Sequence, residues 1–393
     1  MKEFDCDVLI VGSGPIGLVC AYALSLLGYK IIITEQKKNI TKNKFFFDTR
    51  TTAISQGSKI FLEEIGLWRH ICKFSEKIKN IKVMDRNETN KINFFHNLKK
   101  NDLGYVVKNT KLINIIKTAL QKKNNATSYY ETKLLFIEYK TDKIIAVFND
   151  KKISARLLVA ADGKNSSVRQ LLNTPIFKKQ YKENAIVVNF FHTLKHNNTA
   201  YEFFYKSGPL AILPMQSENL NHQSSIIWSN NKNYLSSLML VDKELLTNIL
   251  EEKIGNVIGN IKQINSKQIF PLSSHINQRF YEKRVIYIGD SAHSIHPIAG
   301  QGWNIGLRDI KAFYELAKKT NELGLYLGTQ QFCLNYNQNR FYDAYQFYQV
   351  TDKLNLIFKK DSLILNYFRS FGFNLIEKNI NLKKRITNFA MGI

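Results

Sequence analysis

The sequence predicts an α/β fold with two additions, an inserted sheet of mostly antiparallel strands and a helical C-terminal region. Three observations predict it. Near the N-terminus, two short apolar segments flank a helical segment, which is the order of a βαβ unit. From about residue 174 to 280 the pattern changes to short strands rich in aromatic and β-branched residues. The remainder of the chain is largely helical.

The N-terminal βαβ unit is built from three segments. DVLIVG at 7–12 and KIIITE at 30–35 are short apolar runs, typical of buried parallel strands. PIGLVCAYALSLLG at 15–28 has a helical pattern, and Pro15 suits a first helical turn, where its missing N–H costs nothing.

A glycine-rich turn joins the first strand to this helix. Gly12, Gly14 and Gly17 form G-x-G-x-x-G, and Glu35 ends the second strand about 20 residues further on. Glycine lets the backbone approach a pyrophosphate, the helix N-terminus attracts its charge, and the carboxylate accepts hydrogen bonds from a ribose. The turn therefore predicts a Rossmann-like dinucleotide site, with NAD and FAD both open.

The later elements complete this domain and define the insertion. Helical patterns occupy SQGSKIFLEEIGLW and 110–121, and strand patterns are LLFIEY, IIAVFN, RLLVAADG, AIVVNFFHTL, AYEFFY, SSIIWSN and RVIYIGD. We assign 1–75, 105–173 and 281–345 to a discontinuous dinucleotide-binding domain, 76–104 and 174–280 to a substrate-binding sheet domain, and 346–393 to a C-terminal helical segment.

Composition and charge set the broad class. The 393 residues are 44% hydrophobic and 22% charged, as in folded globular proteins, and no apolar stretch reaches the length of about 18 residues that spans a bilayer. The net charge of +24 favours binding to anionic membranes or to nucleic acid. The alternative is that many lysines are solvated surface residues that reflect a biased composition. No groove-reading motif is present, so we expect no nucleic-acid partner.

The cysteines and the N-terminus point to the cytoplasm. The four cysteines contain no C-x-x-C pair, which predicts neither a zinc knuckle nor a disulfide framework and fits a reducing compartment. MKEFDCDVLIVGSG carries acidic residues and enters a structured pattern directly, so we expect no signal peptide.

The segment IGDSAHSIHPIAGQGWNIGLRD, 288–309, is open to several interpretations. A nucleophile elbow needs glycine where His293 stands, which excludes the hydrolase interpretation for Ser291. His293 and His296 have no Cys or Glu at ligand spacing, so we predict no metal site and expect His293 to be an ordinary hydrogen-bonding residue. What remains is a strand that ends in Asp290, a proline turn and a helix that begins near Gly302.

Three motifs in order carry a family resemblance. GSGPIG, ADGKNSSVR and GDSAHSIHPIAGQGWNIGLRD together resemble the flavin-dependent aromatic hydroxylases with the para-hydroxybenzoate hydroxylase fold. HPIAGQGWNIGLRD is similar to the signature of the ubiquinone-biosynthesis hydroxylases, which oxidise a prenylated phenol ring. DTRTTAISQGSKIFLEEIGLW, LGYVVKN, SGPLAILP and the C-terminal segment extend the similarity from about residue 5 to the end.

The resemblance implies FAD in the first domain. Gly12, Gly14, Gly17 and Glu35 would hold its pyrophosphate and adenosine ribose, and Asp162 would lie near the dinucleotide.

At the flavin end the same resemblance assigns five more residues. Arg50 would lie alongside the flavin and Asp290 would bind its ribitol chain. Gly302, Trp303 and Asn304 would place backbone amides against the pyrimidine edge of the ring, where reduced flavin carries negative charge. The chain departs from the family in having Ser291 for alanine and Trp303 for leucine, and the larger Trp303 is expected to reshape the pocket.

The resemblance also implies the reaction. It is FAD-dependent hydroxylation of a polyprenylated phenol in ubiquinone biosynthesis, through a flavin C4a-hydroperoxide formed with O2. NAD(P)H or another donor would bind transiently, since the chain has one dinucleotide fingerprint. The flavin would carry the chemistry, the sequence pattern singles out no phenol-activating side chain, and SGPLAILP is the expected wall of an apolar pocket.

Alternatives remain open at this stage. The same motifs suit a flavin-dependent reductase of polyprenyl groups, or a non-catalytic flavoprotein scaffold of the quinone pathway, although a scaffold has no need of the cofactor glycines. Other quinone-biosynthesis proteins are expected partners. The lysine-rich C-terminal helices could contact the inner face of an anionic membrane peripherally, or could simply cover the core.

Overall fold

The computed structural model describes residues 4–38, 48–85, 90–95, 102–218, 220–296, 300–359 and 363–393. The strands are β1 (Cys6–Val11), β2 (Ile31–Glu35), β3 (Thr51–Ser55), β4 (Ser75–Ile78), β5 (Asn80–Asp85), β6 (Lys91–Phe95), β7 (Gly104–Lys108), β8 (Ala126–Tyr130), β9 (Leu134–Tyr139), β10 (Ile144–Phe148), β11 (Lys152–Ala160), β12 (Ile176–His192), β13 (Thr199–Tyr205), β14 (Gly208–Glu218), β15 (Asn221–Asn231), β16 (Ile261–Asn277), β17 (Tyr281–Glu282), β18 (Val285–Tyr287) and β19 (His293–Ser294). The helices are α1 (Pro15–Leu26), α2 (Gln56–Glu64), α3 (Trp68–Ile71), α4 (Asn109–Gln121), α5 (Ser167–Leu171), α6 (Lys232–Leu240), α7 (Lys243–Ile254), α8 (Gly302–Glu322), α9 (Gln330–Lys359), α10 (Leu363–Lys378) and α11 (Ile380–Met391).

The first sheet has the order β17-β18-β11-β1-β2-β8, with β10 and β9 attached to β11. β18, β11, β1, β2 and β8 run parallel. Helices α1, α4 and α8 pack together around this sheet. Because both faces are covered, the central strands and α1 are apolar almost throughout, as the continuous apolar runs in the sequence predict.

The second sheet has the order β19-β16-β12-β15-β14-β13-β5-β6 and is mostly antiparallel, with β5 and β13 parallel. Helices α6 and α7 cover one face, where their leucines pack against Trp228 and Phe203. Side chains alternate between faces along each strand, so Ala200, Glu202 and Phe204 point to the opposite face from Phe203. That opposite face meets the C-terminal helices.

A small third sheet, β3-β7-β4, lies beside the two large ones. Of the range 76–104 assigned to the inserted sheet, β5 and β6 do pair within it, but β4 pairs with β7 instead. The domain boundaries otherwise stay a prediction.

The C-terminal helices cover the free face of the second sheet. In α9, Phe358 stacks on Phe204 of β13 with ring centroids 3.9 Å apart. Phe347 of α9 stacks on Phe389 of α11 at 4.4 Å, which ties the last helix to the others. None of the helices in the described ranges is both long and apolar enough to cross a membrane.

Candidate active site

The three glycines of the first turn have different surroundings. A Cβ at Gly12 would lie 2.3 Å from the Ala161 carbonyl oxygen, and one at Gly17 would lie 2.1 Å from that of Gly12, so protein packing requires both glycines. A Cβ at Gly14 would meet no described protein atom within 4 Å. Gly14 also starts α1 without a side-chain cap. Its bare backbone and the uncapped helix N-terminus fit a pyrophosphate.

Glu35 braces this turn from the end of β2. One carboxylate oxygen accepts hydrogen bonds from the Ser13 N–H at 3.0 Å and the Ser13 hydroxyl at 3.2 Å. The other accepts from the Lys37 N–H at 3.0 Å. A carboxylate has about four lone-pair directions, so one remains for a ligand hydroxyl. Its predicted contact with the adenosine ribose stays a prediction.

Asp162 lies next to Gly12, since a Cβ at Gly12 would be 2.8 Å from the Asp162 Cα. Its Oδ2 accepts hydrogen bonds from the Ser167 hydroxyl at 2.9 Å and the Val168 N–H at 3.1 Å. Its Oδ1 is buried and accepts none from the described residues. Because buried carboxylate oxygens are rarely left without a donor, this atom fits a bound dinucleotide at the turn.

Asp290 and Arg50 are brought into one site from distant parts of the chain. Burial raises the pKa of Asp290, although its side chain reaches the site surface, and the neighbouring His293, Arg50 and Lys164 oppose that rise. Arg50 donates to both carboxylate oxygens of Asp48 at 2.9 Å, and its guanidinium lies over the Phe270 ring at 4.9 Å. Both predicted residues therefore line the same region.

A buried network around Asp309 holds the turn that carries Asp290. Asp309 accepts hydrogen bonds from the Gly289 N–H at 2.9 Å and from Arg340 Nε at 2.9 Å, and His293 Nε2 lies 2.6 Å from it. Burial would raise the pKa of Asp309, but His293 and Arg340 outweigh burial and lower it. His293 is thus the hydrogen-bonding residue expected from the sequence.

Ser291, the departure from the family pattern, has a role in the same turn. Its buried hydroxyl donates to the carbonyls of Ala160 and Ile288, at the ends of β11 and β18. Its own carbonyl accepts from Arg169 Nη1 and Asn277 Nδ2, each at 3.1 Å. The extra hydroxyl therefore joins two strand ends rather than acting as a nucleophile.

Helix α8 begins at Gly302, as predicted, and presents its N-terminus to the site. The Asn304 side chain is fully used by the protein: its oxygen accepts from the Ser55 N–H at 2.9 Å and the Ser58 hydroxyl at 2.8 Å, and its Nδ2 donates to Ala53 O at 2.9 Å. Its backbone N–H stays available in the first helical turn, with those of Gly302 and Trp303. The preceding residues 297–299 of the HPIAGQG signature lie outside the described residues.

Trp303, which was expected to reshape the pocket, does not line the cavity described below. Its side chain packs against the core of the first sheet and is absent from the described cavity lining. Its indole N–H is buried and donates to no described residue.

A cavity of about 710 Å³ lies between the second sheet and helices α9–α11. At one end it is lined by Ala53–Ser55, Gly300, Gln301 and Asn304, beside the α8 N-terminus. The rest of the lining is mainly apolar. Ala211 and Leu213 of SGPLAILP belong to it, so this segment is part of the wall, although its two prolines are not.

Two site residues were missed by the sequence analysis. Asp309 stands in the quoted GQGWNIGLRD motif, but its role depends on contacts with Gly289 and Arg340 that the motif does not reveal. Glu202 faces the cavity from β13. Its signal is visible in AYEFFY, where an acidic residue interrupts an otherwise aromatic strand. The described residues contain no group of three or more His, Cys, Asp or Glu that could hold a metal ion.

Comparison with known sequences gives a consistent set of relatives. The model of the FAD binding domain family matches residues 5–340. Ubiquinone hydroxylase UbiL of Rhodospirillum rubrum is 30% identical over 387 residues, which cover 98% of this chain and 89% of the relative. The mitochondrial ubiquinone biosynthesis monooxygenase COQ6 of Danio rerio is 26% identical over 435 residues, with 98% and 89% covered.

Solved structures show the same fold. The p-nitrophenol 4-monooxygenase PnpA of Pseudomonas putida superposes with a TM-score of 0.77 at 18% identity, over 97% of this chain and 96% of that one. This likeness confirms the predicted fold: an FAD-binding α/β domain with an inserted sheet and C-terminal helices.

Proposed function

Because the chain belongs to the FAD binding domain family and is an FAD-dependent aromatic-ring monooxygenase, we propose that it hydroxylates the ring of a polyprenylated phenol in ubiquinone biosynthesis. The observation that carries this proposal is the apolar cavity, which starts at the α8 N-terminus and continues under the second sheet to α10.

The cavity suits a small aromatic head with an apolar tail. Its volume of about 710 Å³ lies within the range of small-molecule sites, about 300 to 1,000 Å³. Phe347, Leu354 and Phe373 on the helices face Ala211 and Leu213 on the sheet. Each methylene buried there contributes about 0.8 kcal/mol, so several prenyl units would bind through this lining alone.

The cavity also has a route to the surface for a longer tail. Phe368 of α10 lines the cavity and is 62% exposed. The lining is therefore continuous with the outer surface of α10, and a tail longer than the cavity can leave there.

Residues at the ends of four strands, β1, β2, β11 and β18, fit FAD. Gly14 and the N-terminus of α1 would hold the pyrophosphate, with Glu35 and Asp162 beside it. Asp290 and the N-terminus of α8 would lie at the flavin end. When bound and reduced by NAD(P)H or another donor, FAD supplies the activated oxygen from O2.

The protein's own contribution is positioning, charge and exclusion of water. With FAD bound, the first N–H groups of α8 and the helix dipole would stabilise negative charge on the flavin. The apolar lining keeps water from the reacting ring and holds the ring near that helix end. The proposed reaction therefore requires no acid, base or nucleophile from the protein.

We extend the proposal to peripheral contact with an anionic membrane. Tyr367 and Phe371, 71% and 55% exposed, lie one turn apart on the outer face of α10, and Phe368 lies between them. Lys378, Lys384 and Arg385 follow on α10 and α11. An exposed apolar face with nearby basic residues is typical of helices that lie in a membrane interface.

A series of tail lengths tests the substrate class. We expect kcat/KM to rise steadily from phenol through phenols with one, two and three prenyl units, because each unit buries more apolar surface in the cavity. Replacing Ala211 by Phe fills the cavity and should remove this dependence. A flat series in the unaltered protein would contradict a prenylated substrate.

A further inference from the structure

Glu202 stands alone among apolar neighbours. In the sheet it pairs with Ala211 of β14 on one side and Val83 of β5 on the other. Along its own strand the next residues on the same face are Ala200 and Phe204. All five of these residues line the cavity, and Glu202 is the one acidic residue in the described lining.

No described residue donates a hydrogen bond to the Glu202 carboxyl group. Burial alone raises its pKa to about 8, and no charged group of the described residues offsets that effect. Arg369, on the helix side of the lining, donates to the Ile357 carbonyl at 2.8 Å instead. The carboxyl group thus lacks, among the described residues, the partner that a largely buried acidic side chain normally requires, and it faces the cavity.

Folding gains nothing from such a group, since burying a polar group without a partner destabilises a protein. A ligand that supplies a hydrogen-bonding atom inside the cavity would account for it. A prenyl tail has no such atom, whereas a phenol ring carries an oxygen.

The position of Glu202 along its strand suits the ring rather than the tail. Ala200, two residues earlier and about 6.6 Å away along the strand, belongs to a cluster with Ile78 and Met391. Ile78 lies against Gly104, which pairs with β3 next to the α8 N-terminus. Phe204, two residues later, stacks on Phe358 toward α10. Glu202 therefore lies between the flavin end and the α10 end.

We propose that Glu202 binds the ring oxygen of the substrate by a hydrogen bond and so fixes the ring's position along the cavity. This role rests on the proposed function, because it assigns the head group of the same substrate class. A protonated carboxyl group can both donate and accept, so it can bind a hydroxyl or an ether oxygen. Glutamine at the same position keeps a donor and an acceptor, whereas leucine keeps only the approximate volume.

Two ligands that share a tail and differ only in the ring oxygen distinguish the contribution of the head group to binding from that of the tail. We would measure binding of 2-farnesylphenol and farnesylbenzene by calorimetry to the oxidised, FAD-loaded protein without a reductant. Unaltered protein should bind the phenol about tenfold more tightly, the effect of one good hydrogen bond. Glu202→Gln should keep most of this preference, and Glu202→Leu should bind the two ligands equally.

Thermal unfolding of the same proteins separates binding from folding. Glu202→Leu removes an unpartnered polar group, so it should unfold at the same temperature as the unaltered protein or higher. A variant that loses the phenol preference at undiminished stability supports the proposal. A merely structural role would instead lower stability in Glu202→Leu.

Two other results would count against the inference in different ways. If Glu202→Leu keeps the tenfold preference, or if the unaltered protein has none, Glu202 does not bind the ring oxygen, while tight farnesylbenzene binding would leave the proposed substrate class intact. If neither ligand binds the unaltered protein, the proposed substrate class is wrong, and the role proposed for Glu202 is wrong as well.

Discussion

Some single residues of the site are required by the fold, whereas others are accounted for only by a bound ligand. Gly12 and Gly17 are fixed by contacts within the protein, whereas nothing in the described protein requires glycine at Gly14. Asp309 stabilises a turn, and Glu202 stabilises nothing in the described structure. This difference gives matched variants that test the site without relying on turnover.

Gly14→Ala and Gly17→Ala form one such pair. The added methyl group at Gly14 meets no described protein atom, so Gly14→Ala should leave the unfolding free energy of FAD-free protein unchanged and weaken FAD binding at least about tenfold. At Gly17 the methyl group would press on the Gly12 carbonyl, so Gly17→Ala should lower that free energy by about 1–3 kcal/mol. Urea unfolding and FAD titration check both. Unweakened FAD binding by Gly14→Ala would refute the pyrophosphate assignment.

Asp309→Asn tests the network under the Asp290 turn. The substitution removes the fully buried carboxylate that Arg340 and His293 both contact, so the free energy of unfolding should fall by about 3–5 kcal/mol. Asp343→Asn is the control, because Asp343 pairs with the same Arg340 at 2.7 Å but is partly exposed, and should cost about 1 kcal/mol or less. Equal losses in chemical denaturation would show that Asp309 has no special role.

The raised pKa of Glu202 predicts that the stability of the folded protein depends on pH. Its carboxyl group is protonated in folded and unfolded chains below the ordinary pKa of about 4.5, so its burial costs least there. As pH rises, the unfolded chain ionises first, which lowers the stability of the folded state until pH passes the folded pKa of about 8. The unaltered protein should therefore lose stability relative to Glu202→Gln across this window in urea unfolding. Parallel stability curves would contradict the raised pKa.

The sequence predicted the residues whose role follows from local backbone geometry. The glycines of G-x-G-x-x-G and the start of α8 at Gly302 belong to this group, because a few adjacent residues determine a turn or a helix N-terminus. Glu202 and Asp309 depend on strand register and on contacts between distant segments. The location of the Trp303 side chain was not predicted for the same reason, since it packs on the core of the first sheet and is absent from the described cavity lining.

At the scale of elements, the strands and helices with strong periodicity were predicted well. The βαβ unit, α4, β11 and three strands of the insertion, β12, β13 and β15, lie where the patterns placed them. Strands β14 and β16 and the helices α6 and α7 of the insertion were not predicted. The pairing of β4 with β7 was not predicted, because short, half-polar strands carry no signal for their partner. Nor was the docking of the C-terminus on α2, where a Cβ at Gly57 would lie 2.4 Å from the Gly392 carbonyl oxygen.

Helix α10 gives a prediction at this scale. Tyr367→Ser with Phe371→Ser should reduce binding to vesicles of phosphatidylcholine and phosphatidylglycerol about tenfold, because two exposed rings lose their burial in the interface. The control is Leu240→Ser with Leu245→Ser, two leucines on α6 and α7 that are 88% and 48% exposed. Added salt should weaken binding by screening the basic residues. Equal binding by both double variants would exclude α10 as the contact.

At the scale of the whole molecule, the function arises where three parts meet. The first sheet presents the cofactor turns, the second sheet supplies one wall of the cavity, and the C-terminal helices supply the other. The sequence identified each part, but the cavity itself depends on how they pack, which no single motif encodes. Helices α9–α11 and the sheet together enclose a mainly apolar cavity, which under the proposed function would hold the tail and keep water from the site of oxygen transfer.

The most direct test of ring hydroxylation is mass analysis of the product formed from 2-farnesylphenol, NAD(P)H and ¹⁸O-labelled O2 by the FAD-loaded protein. One labelled oxygen atom in the aromatic ring is the predicted result. Reduction and reoxidation of the bound flavin without a labelled product, across phenols of several tail lengths, would contradict monooxygenase chemistry on a prenylated ring.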